Sequence, residues 1–473
     1  MKNYHLLYTL LLSCAAAAHA SVADEAASLM QAGDYAAARE ILEAELAASP
    51  AARELGRLNA LLGECLIEEG LPELALPRLE LADKKGIADA RLWLGRLAFQ
   101  DYDFDKAARY YASYRTARKK NPAEELESYS AQLDLGRSML DNVESIVVLD
   151  SITADAASFF SAYRIPPSAG RLSDSSAIPF EESRDLASMA FSNEGADFMM
   201  WAEPDSTGTL RLMECTRLTD GSWTTPSFTP DMLNMGGDAD FPFMLSDGAT
   251  LYYASDGEGS LGGYDIFIAS RDAASGEYLQ PRNPGMPFNS PFDDYMMVID
   301  EQNGLGWWAT DRNRIPGKVT IYVYELPEAR SNIDPDDEDL TALARLSDYR
   351  LTWPDTEEGI QHAEEMRASI AHIDTRPPRR KDFSLPMPGG RIYTEWSDFS
   401  SKKAADLMRQ YLKEKQKADK EKARLASLRR KYSSSRRDND LMREISDLER
   451  RVENSRESLR SALSEIYRVE LLR

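Results

Sequence analysis

Apolar residues recur at two different periods along this chain. Between residues 32 and 140 they return every three or four positions, the spacing of amphipathic helices. Three stretches there share an order of residue types: "AGDYAAAREILEAELAASP" (32–50), "LLGECLIEEGLPELALPRLELAD" (61–83) and "LWLGRLAFQDYDFDKAARYYASY" (92–114). Their matching small residues, Ala38, Ala75 and Ala107, are 37 and 32 residues apart. A fourth helix is expected over about 123–140. From 185 to 326 the pattern changes to short apolar and aromatic runs separated by Asn, Gly and Asp, the punctuation of antiparallel hairpins. Residues 401–473 contain neither proline nor glycine, and their apolar positions alternate in steps of three and four.

The first region reads as stacked helix pairs with small residues where helices cross and aromatics filling the gaps. Period and register resemble the tetratricopeptide repeat over roughly 23–141. The resemblance implies a concave groove for a partner's peptide or helix, or a spacer supporting the next domain. Tyr102, Phe104, Tyr110, Tyr111 and Tyr114 are expected in the core rather than around a ligand.

The strand region is also a repeat. Asp240 aligns with Asp294, and Ala254-Ser255-Asp256 with Ala309-Thr310-Asp311, at offsets of 54 and 55. An earlier unit places Ala202 52 residues before Ala254. A period near 50 in an all-strand segment signals a β-propeller. Three units are legible, and 145–165 offers strands for a fourth. The stretch "DGEGSLGGYDIFIASRD" (256–272) carries four glycines within seven residues. It lacks the Lys-Ser/Thr and the following helix that a phosphate loop needs, so it reads as a turn between strands. Its glycines are expected to supply φ > 0 and close approach. The segment "LYYASDGEGSLGGYDIFIASRD" resembles the Asp-rich blade motif of WD40-like propellers in Bacteroidota envelope proteins, and is similar to the propeller of the periplasmic Tol system protein. The order of segments over 23–330 is similar to the N-terminal part of the peptidoglycan-associated lipoproteins of the type IX secretion system. No later segment resembles their outer-membrane-protein-A-like domain.

The N-terminus reads as an export signal. Lys2 precedes an apolar run over Leu6–Ala18, and Ala18-His19-Ala20 is a small-x-small cleavage site. Leu11-Leu12-Ser13-Cys14 competes with it as a lipobox, with Cys14 as the lipidated residue. Either route leads out of the cytoplasm, to the periplasm or, as a lipoprotein, to the outer membrane. Cys65 and Cys215 fall in different regions, so no disulfide framework is expected.

The formal charge is −23, with +8 in residues 401–473 and −31 before them. An acidic body with a basic tail excludes the broad basic face of a nucleic-acid binder. Outside the export signal the histidines are His362 and His372, both after the strand region, so no Ser-His-Asp arrangement fits within it. No metal or cofactor motif is found. Asp238, Asp240, Asp293 and Asp294 recur at one place in the repeat, as do Asp256 and Asp311, which predicts a fold-forming role at turns. Calcium at Asp256, Glu258 and Asp265 is a competing reading. Trp201, Trp223, Trp307 and Trp308 are candidates for stacking on sugars or for the core.

In the tail, Leu407, Tyr411, Ala418, Leu425, Leu428 and Tyr432 form one seam, and Leu441, Ile445, Leu448, Val452, Leu459, Ala462, Ile466 and Val469 form another. Their registers disagree across "YSSSRRDND" (432–440), which predicts two antiparallel helices.

The expected organisation is multidomain, α plus all-β: signal peptide 1–20, tetratricopeptide-repeat α-solenoid 21–141, WD40-like β-propeller 142–330, a linker with helix and β-hairpin 331–397, and a coiled-coil helical hairpin 398–473. Taken together this implies a non-enzymatic scaffold of the cell envelope, without cofactor, binding other envelope proteins in an outer-membrane or secretion-associated assembly. Membrane contact would come only through a lipid anchor. The alternatives are a glycan or peptidoglycan-fragment binder using the propeller mouth, and a carboxylate-based hydrolase.

Overall fold

The computed structural model describes residues 21–118, 126–218, 220–376, 383, 385–387, 391–434 and 439–471. The export segment and Cys14 lie outside the described residues.

Helices α1 Val22–Gln31, α2 Tyr35–Ala47, α3 Leu55–Glu68, α4 Pro72–Lys84, α5 Asp89–Gln100, α6 Phe104–Ala117 and α7 Leu126–Leu140 come first, each packed on its predecessor. Caps are local. Asp34 accepts from the Ala37 N–H at 3.1 Å and Asp103 from the Lys106 N–H at 2.9 Å. Ala38, Ala75 and Ala107 are fully buried within the helical core. A Cβ added to Gly95 would sit 2.3 Å from the Tyr111 ring, too close to tolerate. After α1, α3 and α5 the chain turns through a left-handed residue: Gly33, Gly70 and then Tyr102, at φ +79, +74 and +63°. The third of these is an aromatic where the others are glycine.

The strand region begins with β1 Val147–Asp155, β2 Arg171–Asp174, the short helix α8 Glu181–Leu186, β3 Met189–Ser192, β4 Phe198–Pro204, β5 Leu210–Thr216 and β6 Ser227–Phe228. It continues with β7 Ala239–Met244, β8 Thr250–Ser255, β9 Asp265–Ser270, β10 Asp294–Asp300, β11 Leu305–Thr310 and β12 Lys318–Glu325. All pairings are antiparallel. The sheet orders are β2-β3-β4-β5-β6, β7-β8-β9 and β1-β12-β11-β10. Bridges Ile268–Arg282 and Arg271–Tyr278 add an outer segment to the second sheet.

The repeat survives in backbone detail. β7 and β10 carry the same register break, with Phe241 and Met296 at φ +54 and +55°. The expected fourth unit over 145–165 does not form. β1 instead pairs along its length with β12, completing the last sheet. Residues 159–169 turn back over the core: Phe159 meets Tyr295 edge-on at 5.2 Å, and Tyr163 Oη donates to the Met296 carbonyl at 2.8 Å. One apolar core joins the sheets, with Phe191, Phe243, Tyr253, Phe267, Trp307 and Trp308 at its centre.

Residues 331–376 form a cover for an edge. α9 Leu340–Arg345 and α10 Glu357–Ile370 flank a turn in which Thr352 Oγ1 accepts from the Val148 N–H at 2.9 Å and Trp353 Nε1 donates to the Val148 carbonyl at 2.7 Å. The outer edge of β1 is thereby occupied.

The helical and strand regions share a core across residue 141. Phe99, Tyr102, Phe104, Leu133 and Met139 pack with Leu261, Met286, Leu340 and Ala344. The two connecting segments bond to each other, Ile333 N–H to the Val143 carbonyl at 2.9 Å and Ser145 N–H to the Ser331 carbonyl at 2.8 Å.

Beyond them lie the short pair β13 Leu385–Pro386 and β14 Ile392–Tyr393, then α11 Lys402–Ser434 and α12 Asn439–Leu471. The two long helices run antiparallel. Glu470 accepts from the Ser400 and Ser401 N–H groups at 2.7 and 3.1 Å, and Arg424 pairs with Glu444 at 2.6 Å. The chain is therefore a mixed α and β molecule: a seven-helix N-terminal region, antiparallel sheets and C-terminal helices, among the described residues.

Candidate functional site

The recurring aspartates form two equivalent relays at one end of the sheets. In the first, the Leu210 N–H donates to Asp238 Oδ1 at 2.8 Å, and the Asp238 N–H donates to Asp256 Oδ1 at 2.7 Å. In the second, the Tyr264 N–H donates to Asp293 Oδ1 at 2.8 Å, and the Asp293 N–H donates to Asp311 Oδ1 at 3.0 Å. Leu210 opens β5 and Asp238 precedes β7; Tyr264 precedes β9 and Asp293 precedes β10. Each relay thus ties one sheet to the next, using backbone donors that the strands leave unpaired at their ends.

The glycine-rich loop is wrapped around a buried carboxylate. Asp265 is fully buried and accepts from the Leu261 N–H at 3.0 Å, the Gly262 N–H at 3.4 Å and Asn283 Nδ2 at 2.7 Å. Burial, and secondarily the charge of Asp294, pushes its carboxyl well above the usual carboxylate range. Only Gly259 of the four glycines takes a positive φ, +90°. The others allow close approach: a Cβ on Gly262 would lie 2.5 Å from the Pro291 backbone, and one on Gly263 2.0 Å from Asp293 Oδ1. The calcium reading does not gather its ligands. Asp256 faces the Asp238 N–H, Glu258 is exposed and Asp265 points inward to its amide donors. Among the described residues no three His, Cys, Asp or Glu side chains converge as metal ligands.

The second place in the repeat diverges. Asp240 is buried, accepts from the Phe241 N–H at 2.6 Å, and is pushed up to about 6 by burial. The strand registers correct the alignment of Asp240 with Asp294: Ala239 pairs with Ser255 as Asp294 pairs with Thr310, so Asp294 answers Ala239 and Asp240 answers Tyr295. Asp294 is paired with Arg312 at 2.6 Å and accepts from Ser290 Oγ at 2.5 Å. Arg312 also reaches the Phe288 carbonyl at 2.9 Å and lies over the Tyr322 ring. It stands where the preceding repeat has Gly257. Asp311 beside it is pushed up to about 7, by burial and then by the charges of Asp293 and Asp294.

The remaining candidates separate. Trp201, Trp307 and Trp308 have no exposed surface, so they serve the core rather than a sugar. Trp223 is half-buried at the edge of the first sheet. His362 hydrogen-bonds Glu325 at 2.8 Å, which holds its imidazole above the usual value, whereas His372 lines a different cleft, with Asp374 and Arg376. Cys65 and Cys215 are buried free thiols, each pushed up to about 12 by burial.

Two clefts of about 320 Å³ flank the sheets. One lies at the β3–β4 and β7–β8 turns and is lined by Phe191, Phe198, Met244 and Arg271. The other lies where the turns before α4 and α6 meet the relay end of the sheets, lined by Tyr102, Arg312, Arg314 and Arg345. Sequence reading missed this second cleft. Its signal was present: Tyr102 and Arg312 are large residues at register positions where sister repeats have glycine.

Among the described residues no helix is long and apolar enough to cross a membrane. No protein-family model, curated protein or solved structure matches this chain.

Proposed function

We propose that this chain is a non-enzymatic scaffold of the bacterial cell envelope: a tetratricopeptide-like helical array mounted on a propeller-like strand body, with a basic coiled-coil hairpin as its tail. The observation that carries the reading is the use of the recurring carboxylates. Asp238, Asp256, Asp293 and Asp311 each accept a backbone N–H, in two relays that join neighbouring sheets. Groups that hold the fold at equivalent places in two repeats are not thereby a reaction centre. The propeller-like reading is supported by β1, the first strand, which pairs with the last strand β12 and so closes the body. The solenoid reading is supported by the buried Ala38, Ala75 and Ala107 and by helices packed in chain order. A core shared by both regions makes the array and the body one platform for partners. The glycan alternative has less support, because three of its four tryptophans are buried.

Crosslinking with mass spectrometry in cells that make the protein tests the proposal. The expected result is one reproducible envelope-protein partner, contacted through the helical array or the tail and lost when that region is altered. Retention of the purified protein on peptidoglycan, or turnover of it, would overturn the reading.

A further inference from the structure

The cleft between the helical turns and the sheets holds an imbalance of charge and hydrogen bonding. Arg312 is 7% exposed, and one of its terminal nitrogens, Nη1, has no hydrogen-bond partner although Nη2 is bound to Asp294 and Phe288. Tyr102 Oη is likewise buried, with Ser290 beside it but no hydrogen bond of good geometry, and burial pushes its pKa up to about 12, so it is a donor at neutral pH. Buried donors left unpaired forfeit their hydration without replacement, so such a pair in one cleft calls for an acceptor.

The cations around them are unequally matched. Arg312 is neutralised by Asp294. Arg345 reaches Asp101 only loosely, at 3.7 Å, and lies 5.8 Å from the centre of the Tyr102 ring. Arg314 stacks over the Phe292 ring at 4.6 Å and has no ion-pair partner among the described residues. Its backbone is left-handed, at φ +51°, and so is that of Tyr102, at +63°. Non-glycine residues held there carry strain, and two of them on one cleft mark an arrangement maintained by its surroundings. Glu73 and Asp101 on the wall set an upper limit to the negative charge the cleft accepts.

We propose that this cleft binds a singly charged oxyanion, a carboxylate or a phosphate monoanion, with Arg312 Nη1 and Tyr102 Oη as inner donors and Arg314 as the cation not held in a direct ion pair. Guanidinium forks match the oxygens of either group, and desolvated charge-assisted bonds are the stronger kind. The site stands apart from the scaffold reading, which survives if no anion binds here.

The test uses the full chain and two probes, inorganic phosphate and N-acetylglycine, titrated by calorimetry at constant ionic strength with sodium chloride as the control. Saturable binding of at least one probe is expected. Arg314→Gln should weaken it about tenfold, and Tyr102→Phe several-fold. Tighter phosphate assigns the site to free or esterified phosphate; tighter N-acetylglycine assigns it to a peptide or metabolite carboxylate. If neither probe binds saturably, or if folded Arg314→Gln binds as wild type does, the proposal is wrong. Should Arg314→Gln fail to fold, Arg345→Gln at the more exposed rim carries the same test, with a several-fold loss expected and unchanged binding overturning the site.

Discussion

Arg312 and Asp294 form a buried ion pair 2.6 Å apart, with side chains 3% and 0% exposed. The neighbouring repeat has Gly257 and Ala239 in their places, so it lacks both partners. An internal pair of this kind is held by geometry rather than by raw charge, since desolvation offsets most of the attraction. Removing one partner leaves the other buried and alone. Arg312→Ala is therefore expected to cost about 3–5 kcal/mol, and Arg312→Met with Asp294→Leu to cost clearly less than the two single changes together. Denaturant unfolding of the wild type, Arg312→Ala, Arg312→Met, Asp294→Leu and the double variant measures this. Additive losses would show that the pair is not coupled.

Asp311 gives the fold a pH dependence of uncommon sign. Its folded pKa is raised to about 7, so between about pH 4 and 7 the folded state binds the proton and the unfolded state does not. Its contribution is fully present below the unfolded value and is lost as pH rises through about 7. Relative to Asp311→Asn, which keeps the acceptor for the Asp293 N–H, the wild type should lose about 1–3 kcal/mol between pH 4 and 8. Melting curves of both proteins across that range decide it; parallel profiles would remove Asp311 as the source.

The glycine-rich loop makes a graded prediction. Gly262→Ala places a methyl group against the Pro291 backbone, which cannot rotate away, and should cost about 2–3 kcal/mol. Gly259→Ala meets only ordinary contacts with Phe267 but must keep φ near +90°, and should cost about 1 kcal/mol. Thermal unfolding should rank them in that order, and the reverse ranking would place the strain elsewhere.

The tail has its own small core, with Leu385, Met408, Ile466 and the partly buried Trp396 and Phe399. Leu448 is 1% exposed between α11 and α12. Leu448→Asp with Val452→Asp should open the hairpin to protease while the body stays intact, because the body's core contains neither residue. Concerted loss of both regions in a proteolysis time course would show that the tail supports the body.

Asp256→Ala should cost about 1 kcal/mol, since its single relay bond lies at an exposed turn, whereas Asp311→Ala should cost about 2 kcal/mol in its more enclosed setting. Equal losses would mean that burial does not modulate the relay.

Much of this architecture is written in local pattern. The two apolar periods separate helices from strands, Ala38, Ala75 and Ala107 mark the buried faces of their helices, and the phase break at 432–440 separates α11 from α12. The aspartates repeating at an offset of 55 announce a fold-forming role, which the relays make concrete, whereas the alignment of Asp240 with Asp294 at 54 does not hold in the strand registers. These features depend on neighbours within a turn or a hairpin, so periodicity carries them. Tertiary structure decided the rest. Val147–Asp155 joins the last sheet by pairing with Lys318–Glu325, more than 160 residues away, a separation that local pattern does not encode. Tyr102 and Arg312 meet in one cleft because two unrelated repeats, each departing from its own register, dock through a shared core. Sequence marks each departure singly; only the packing of one repeat on the other brings them together.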